Sequence, residues 1–143
     1  MRARCLLTTV IIPLLLAAAP ARAQSAEETP WARVSRADLE RFESNAGSAR
    51  VNNMVIARDP TGEGAGPAAP FEFSASVANR GGDRLRVYLQ IVGVKADGTP
   101  TLSCNTYVDV ESRRNEAVRE SFRAPEAAVA GTEVFWVRLL AIP

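Results

Sequence analysis

Residues 71–102, which read FEFSASVANRGGDRLRVYLQIVGVKADGTPTL, carry the pattern that most limits the possible folds. From Phe71 and Phe73 onward every second residue is apolar through Val77, and the residues between them are mostly polar. This alternation is typical of a β-strand with one buried face and one solvated face. The centre of the chain is therefore predicted to form strands rather than helices.

Two longer segments, residues 84–95 and 133–142, are apolar on both faces. In the first, Leu89 and Ile91 lie on the face opposite to Tyr88. A strand that lacks a polar face is central in its sheet or is covered on both sides. We therefore expect both segments to be interior strands.

The rest of the chain completes an all-β prediction. Three further segments have the composition of strands: 51–58, 101–110 and 115–125. Asp97-Gly98 predicts a hairpin turn, and residues 79–83 (NRGGD) predict a second one. Sequential strands joined in this way indicate an antiparallel immunoglobulin-like β-sandwich of about six strands.

One short helix is predicted near the start of the domain. Ser35 and Asp38 have the spacing of a capping box. Leu39 and Phe42 follow at helical spacing, which predicts a helix over residues 36–46.

Residues 1–23 have the three parts of a secretory signal peptide. Arg2 and Arg4 give a positive start, residues 6–19 are apolar, and residues 21–23 (ARA) match a cleavage site. A membrane-spanning helix needs about 20 apolar residues, more than this run supplies. We therefore expect a periplasmic or secreted protein that does not insert into a membrane after cleavage.

The predicted division of the chain is a signal peptide (1–23), an N-terminal polar segment with the short helix (24–50) and a β-sandwich domain (51–143).

Composition limits the chemistry that the chain can perform. There is no histidine, which removes the commonest general base and the commonest metal ligand. Close carboxylate pairs are expected by chance among 16 acidic residues, and we interpret them as solvated. We therefore assign no catalytic residue, no cofactor, no cofactor-binding residue and no metal ligand, and we expect that the protein is not an enzyme.

The charge balance gives no sign of a nucleic-acid partner. Removal of residues 1–23 takes away three arginines and changes the formal net charge from +1 to −2. Nucleic-acid binding requires a basic surface. The densest basic spot, Arg113-Arg114, is flanked by Glu111 and Glu116 and is interpreted as a solvated turn.

One cysteine, Cys104, follows the predicted signal peptide. A single cysteine cannot form an internal disulfide, so the fold depends on its core. Cys104 alternates in phase with Leu102 and Val108, and free cysteine is among the most buried residue types. We predict burial, with a reactive or intermolecular thiol as the alternative.

The second half of the chain combines several features in a fixed order. A turn contains Asn79, a Leu/Tyr-rich strand covers residues 85–91, and an Asp-Gly turn follows at Asp97-Gly98. The next strand opens with Leu102. A Gly-Thr-Glu loop at 131–133 then leads to an apolar strand that ends near a Pro at 139–143. Residues 71–143 thereby resemble a small extracytoplasmic immunoglobulin-like module at the C-terminus of some bacterial caspase-like proteins. The resemblance implies an accessory domain of unresolved function and not an active protease. The chain departs from that family in lacking a peptidase domain and in carrying its own predicted signal peptide.

The last strand has a second apolar face that needs a cover, because a two-sheet sandwich buries one face of each sheet. We predict that residues 31–46 pack across this outer face near Trp136. The alternative is that a partner protein covers it. The candidate interaction surface comprises Tyr88, Val134, Trp136, Arg138 and Leu140.

These patterns favour a non-catalytic secreted or periplasmic accessory or protein-binding module. A second hypothesis is a structural subunit that assembles by strand addition, which requires a long unprotected edge strand. A third is an enzyme that uses carboxylates without histidine, which requires a polar cleft with clustered acids and shifted pKa values.

Overall fold

Two antiparallel β-sheets pack face to face in the computed structural model of the protein, which describes residues 25–62 and 67–143. In chain order the strands are β1 (Glu27–Glu28), β2 (Ala32–Ser35), β3 (Ser44–Ala46), β4 (Ala49–Arg58), β5 (Ala69–Asn79), β6 (Leu85–Val94), β7 (Pro100–Val110), β8 (Asn115–Ala124) and β9 (Val134–Ile142). A 3₁₀ helix spans Arg36–Arg41, and a short α-helix, α1, spans Glu126–Ala130. The all-β sandwich prediction is confirmed. The predicted signal peptide, residues 1–23, lies outside the described residues.

The first sheet has the order β1-β9-β6-β7, with β2 pairing beside β1 along the same edge of β9, and the second sheet has the order β3-β4-β5-β8. The two segments that are apolar on both faces form β6 and β9, and each has strand neighbours on both sides. Their prediction as interior strands is confirmed. The other four predicted strands correspond to β4, β5, β7 and β8, and the sequence did not predict the three short strands β1 to β3.

The two predicted hairpin turns have different outcomes. Asp97-Gly98 joins the paired strands β6 and β7, and Gly98 has the positive φ of 84° that such a turn requires. Residues 79–83 instead cross between the sheets, because β5 lies in the second sheet and β6 in the first. The hairpin prediction for residues 79–83 was therefore wrong. Turn-forming residues mark a reversal of the chain, and the choice of partner strand depends on tertiary packing.

The crossing is held by the side chain of Asn79, which is only 2% exposed. Its Nδ2 donates to the carbonyls of Asp83 at 2.7 Å and Val110 at 3.2 Å. Its Oδ1 accepts from the backbone N–H of Gly81 at 2.9 Å. This buried amide therefore joins the β5–β6 connection to the end of β7.

The N-terminal segment does not pack as the sequence predicted. The helix ends at Arg41 rather than at residue 46, although Ser35 caps it as expected by accepting from the N–H of Asp38 at 3.2 Å. Leu39 is buried in the core between the sheets rather than on the outer face of the first sheet. The helix predicted within residues 31–46 therefore does not cover that face, and the residue of this segment that lines a depression with Trp136 is Trp31.

Hydrogen bonds explain where this segment lies. Arg36 donates from Nη1 to the carbonyl of Val129 at 2.6 Å, at the end of α1. The N–H of Arg36 donates to the carbonyl of Glu133 at 2.8 Å. These bonds hold the 3₁₀ helix against the β8–β9 connection. Because β1 to β3 also belong to the two sheets, the domain boundary expected at residue 51 does not separate two structural units.

The core lies between the inner faces of the two sheets. The alternating residues Phe71, Phe73 and Val77 of β5 are all buried, as their spacing predicted. Cys104 is 4% exposed on the inner side of β7, which confirms its predicted burial. Desolvation raises the pKa of the Cys104 thiol to about 11, and the negative charge of Glu120 adds to the rise.

Candidate interaction surface

Four of the five residues in the candidate interaction surface lie together on the outer side of the first sheet. Tyr88 of β6 and Trp136, Arg138 and Leu140 of β9 point away from the core, as shown by their alternation with buried neighbours. Val134 is 7% exposed and is therefore buried, so its inclusion in an exposed surface was wrong. We call this outer side of the first sheet the aromatic face.

The register of the strands arranges the aromatic face in rows. Tyr88 is opposite Leu140 on one side and Tyr107 of β7 on the other. In the next rows Gln90 is opposite Arg138, and Val92 is opposite Trp136. The outward residues of β6 and β9 therefore form three rows across the sheet. The Tyr88–Leu140 and Val92–Trp136 rows are apolar, and the Gln90–Arg138 row between them is polar.

The first apolar region, which we call the tryptophan patch, consists of Trp31, Val92 and Trp136. These side chains line a depression of about 360 Å³. Trp31 is 42% exposed and Trp136 is 37% exposed. Large apolar side chains that are grouped and accessible to solvent are characteristic of binding surfaces.

Arg138 organises the polar row beside the tryptophan patch. Its Nη1 lies 2.9 Å from Oε1 of Glu28, and its Nε donates to Oε1 of Gln90 at 3.0 Å. Its guanidinium carbon lies 5.0 Å from the ring centroid of Trp31, a cation–π distance. Arg138 therefore links β1, β6 and the Trp31 ring, which limits the rotamers available to these side chains before any partner arrives.

The second apolar region, which we call the tyrosine patch, contains Tyr88, Tyr107 and Leu140. The two tyrosine ring centroids are 5.6 Å apart, within the range of aromatic pairs. Tyr107 is 56% exposed, and the guanidinium of Arg86 lies 5.0 Å from its ring centroid. A tyrosine with an accessible ring and hydroxyl group combines apolar area with hydrogen-bonding capacity.

A charged pair borders the tyrosine patch. Arg86 donates from Nε to Oδ1 of Asp109 at 2.7 Å and from Nη2 to Oδ2 at 2.9 Å, a bidentate geometry. Arg84 adds a contact of 2.9 Å to Oδ2. The hydrogen bonds from Arg86 lower the pKa of Asp109 to about 2.

Sequence reasoning missed Tyr107 and did not single out Trp31 within residues 31–46. Trp31 lies between β1 and β2, where no periodic pattern marks it as a surface residue. Tyr107 lies in phase with Asp109 on the side of β7 opposite to Cys104, so the alternation already contained the signal that it points outward. Its neighbour across the sheet, Tyr88, could not be identified before the β6–β7 register was known.

The described acidic residues give no grouped set of metal ligands. In residues 25–62 and 67–143 no three or more Cys, Asp or Glu side chains come together as potential ligands. The carboxylates with shifted pKa values, Asp59, Asp97 and Asp109, are all lowered, chiefly by hydrogen bonds from Thr61, Thr99 and Arg86 respectively. A lowered pKa keeps a carboxylate ionised, which is opposite to the raised pKa that a general acid needs. Neither helix of the described chain is long and apolar enough to cross a membrane.

Comparison with known proteins gives distant structural neighbours. No protein-family model and no curated protein matches the sequence. A DUF1425 family member from Shewanella sp. pv-4 aligns over 66% of this chain and 84% of its own, with 13% identity and a TM-score of 0.33. The enzymatically active domain of tailspike protein 4 from bacteriophage CBA120 aligns over 82% of this chain and 18% of its own, with 10% identity and a TM-score of 0.24. Neither similarity supports a functional argument, and the resemblance to a module of caspase-like proteins stays a prediction.

Proposed function

We propose that the protein is a non-catalytic extracytoplasmic β-sandwich module that binds a partner protein through its aromatic face. The observation that carries this proposal is the tryptophan patch, an apolar depression on the outside of a sheet. Trp, Tyr and Arg are the residue types that dominate binding energy at protein interfaces. All three occur here on adjacent strands.

Preorganisation also supports the proposal. Arg138 is bonded to Glu28 and Gln90 and lies over Trp31, so the surface side chains are positioned by one another. A surface that is already ordered loses less side-chain entropy on binding. A fitting partner would present an apolar ridge to the tryptophan patch and polar groups to the row of Arg138.

The test is a quantitative comparison of two variants in an envelope pull-down. Trp136→Ser removes an indole from the aromatic face, and Val55→Ser removes an exposed apolar side chain from the second sheet as a matched control. A partner recovered with the wild type and Val55→Ser should be absent with Trp136→Ser. With the purified partner, calorimetry should show Trp136→Ser to be weaker by about thirtyfold, the usual effect of a hot-spot truncation.

Two results would contradict this function. Equal recovery by both variants would move the binding surface away from the aromatic face. Absence of any partner that binds the purified wild-type protein would remove the proposal altogether.

Assembly by strand addition has one supporting observation. The strands β7 and β8 are 11 and 10 residues long, and within the described chain each pairs with a strand on one side only. An unpaired edge of this length is able to accept a further strand. Light scattering after size-exclusion chromatography tests this alternative, because it requires a concentration-dependent oligomer that persists in Trp136→Ser.

A further inference from the structure

A concave polar region lies on the outer side of the second sheet, away from the aromatic face. Its volume is about 760 Å³. It forms where β4 and the ends of β5 and β8 meet two connections that cross between the sheets, β5–β6 and β7–β8. Its lining residues are Arg50, Asn52, Asn53, Ser76, Val77, Ala78, Asn79, Arg80, Arg113, Asn115, Glu116 and Ala117. We call this region the arginine concavity.

Positive charge is concentrated in the arginine concavity. Three guanidinium groups, from Arg50, Arg80 and Arg113, line it together with a single carboxylate, that of Glu116. Arg50 forms a salt bridge with Glu43. Within residues 25–62 and 67–143, neither Arg80 nor Arg113 forms one. The concavity therefore has an excess of positive charge, although the net charge of the whole chain is only +1.

Unusual backbone conformations occur at the same place. Among the described residues other than glycine, only Asn53 and Arg113 have positive φ, at 53° and 55°. Both line the concavity, and the register of β4 shifts between Asn52 and Val55. Left-handed backbone is unfavourable for an arginine, and such strained residues are concentrated at ligand sites. Arg113 thus lines the concavity together with Arg80 and Arg50 in a conformation that the local sequence does not favour.

The polar groups point to a particular ligand chemistry. Guanidinium groups match a carboxylate through two parallel hydrogen bonds. The side chains of Asn52, Asn53 and Asn115 offer both donors and acceptors, which suits the hydroxyl groups of a sugar. The residues that line the concavity include no aromatic side chain, which argues against recognition by ring stacking. We propose that the arginine concavity binds a carboxylate-bearing saccharide, with the arginines on its carboxylates and the asparagines on its hydroxyls.

The test uses trigalacturonic acid as the probe and the purified protein, followed by NMR titration and calorimetry. We expect saturable shifts at residues 50–53, 76–80 and 113–117. Arg80→Gln and Arg113→Gln should each weaken binding about tenfold, as expected for loss of a charged hydrogen-bonding partner. Both side chains belong to exposed residues, so thermal melting should show that both variants fold.

Three controls make the result decisive. Arg119→Gln removes an exposed arginine from the same sheet outside the concavity and should leave binding unchanged. The neutral trisaccharide trigalactose should not bind, and inorganic phosphate at equal concentration should not displace the probe. Absence of saturable shifts, equal weakening by Arg119→Gln, binding of trigalactose or displacement by phosphate would each overturn the proposal. The Trp136→Ser variant should bind the probe normally, so this test is independent of the proposed function.

Discussion

The outer faces of the two sheets rest on the same core yet carry opposite chemistry. The aromatic face of the first sheet exposes tryptophan, tyrosine and leucine side chains around Arg138. The outer face of the second sheet carries mainly small and polar residues in the positions equivalent by alternation, with the exposed Val55 as an exception: Arg50, Asn52, Ser74, Ser76, Ala78, Asn115, Ala117 and Arg119. Both sheets follow the same two-residue alternation. The alternation therefore determines which residues point outward, but it does not determine whether those residues are polar or apolar.

The arginines show what this difference means physically. On the aromatic face Arg86 and Arg138 are both bonded to acidic side chains and lie beside aromatic rings. In the arginine concavity Arg80 and Arg113 line an open space without a salt bridge in the described chain. On the aromatic face the arginines therefore hold neighbouring side chains in place, whereas in the arginine concavity they are available to an anionic ligand.

The largest effect is expected from Asn79→Ala, because the Asn79 side chain holds the β5–β6 connection that lines the arginine concavity. The change leaves the carbonyls of Asp83 and Val110 without their donor, at a cost of about 3 kcal/mol in the free energy of unfolding. Urea denaturation measures this loss. Asn105→Ala, an exposed asparagine on the aromatic face, should change the free energy by less than about 0.5 kcal/mol. Similar values for the two variants would show that this buried amide does not hold the turns.

Cys104 tests whether the sheet that carries the aromatic face opens at its β7 edge. Raising the thiol pKa from 9.0 to about 11 reduces the thiolate fraction at pH 8 about a hundredfold, and burial hinders access further. Labelling by a thiol reagent should therefore be at least about a hundredfold slower in the native protein than in urea. Rapid native labelling would show that β7 separates from the core, and a dimer band on a non-reducing gel would instead support an intermolecular thiol.

Trp31→Ala should have a moderate effect confined to the aromatic face. It removes the ring that contacts Arg138 and one wall of the tryptophan patch, which should cost about 1 kcal/mol in the free energy of unfolding. Ser76→Ala on the outer face of the second sheet should cost less than about 0.5 kcal/mol by the same urea measurement. If Trp31→Ala is equally neutral, the aromatic face is less ordered than its contacts imply.

The smallest effect is expected from Asp109→Asn, because the carboxylate lies in an exposed ion pair and is screened by solvent. The pKa of Asp109 is lowered in the folded state from 3.8 to about 2, so its contribution to stability is present above about pH 4. That contribution is lost as the pH falls through 2. The wild type should therefore be more stable than Asp109→Asn at pH 6, and in thermal melts the difference should shrink towards pH 2 and vanish below it. A difference that is constant with pH would show that the Arg86 pair does not perturb this carboxyl group.

The sequence by itself determined the strands, the inward residues and the buried thiol. The alternation of Phe71 and Phe73 and the two segments apolar on both faces depend on local spacing, which is set by the backbone geometry of a strand. The Asp97-Gly98 turn is likewise a local property, because glycine accepts the positive φ at low cost. The same alternation identified Tyr88, Trp136 and Leu140 as outward residues.

Only the tertiary structure decided which strands pair and which segments meet. Residues 79–83 look like a hairpin in sequence, and the bonds of Asn79 to the distant end of β7 make them a crossing between sheets. Trp31 reaches the aromatic face because β1 and β2 pair with β9, more than a hundred residues later. The arginine concavity combines three separate segments of the chain, and Arg113 in isolation had been interpreted as part of a solvated turn. Such contacts depend on the packing of residues far apart in sequence, whereas periodicity reports only neighbours along one strand.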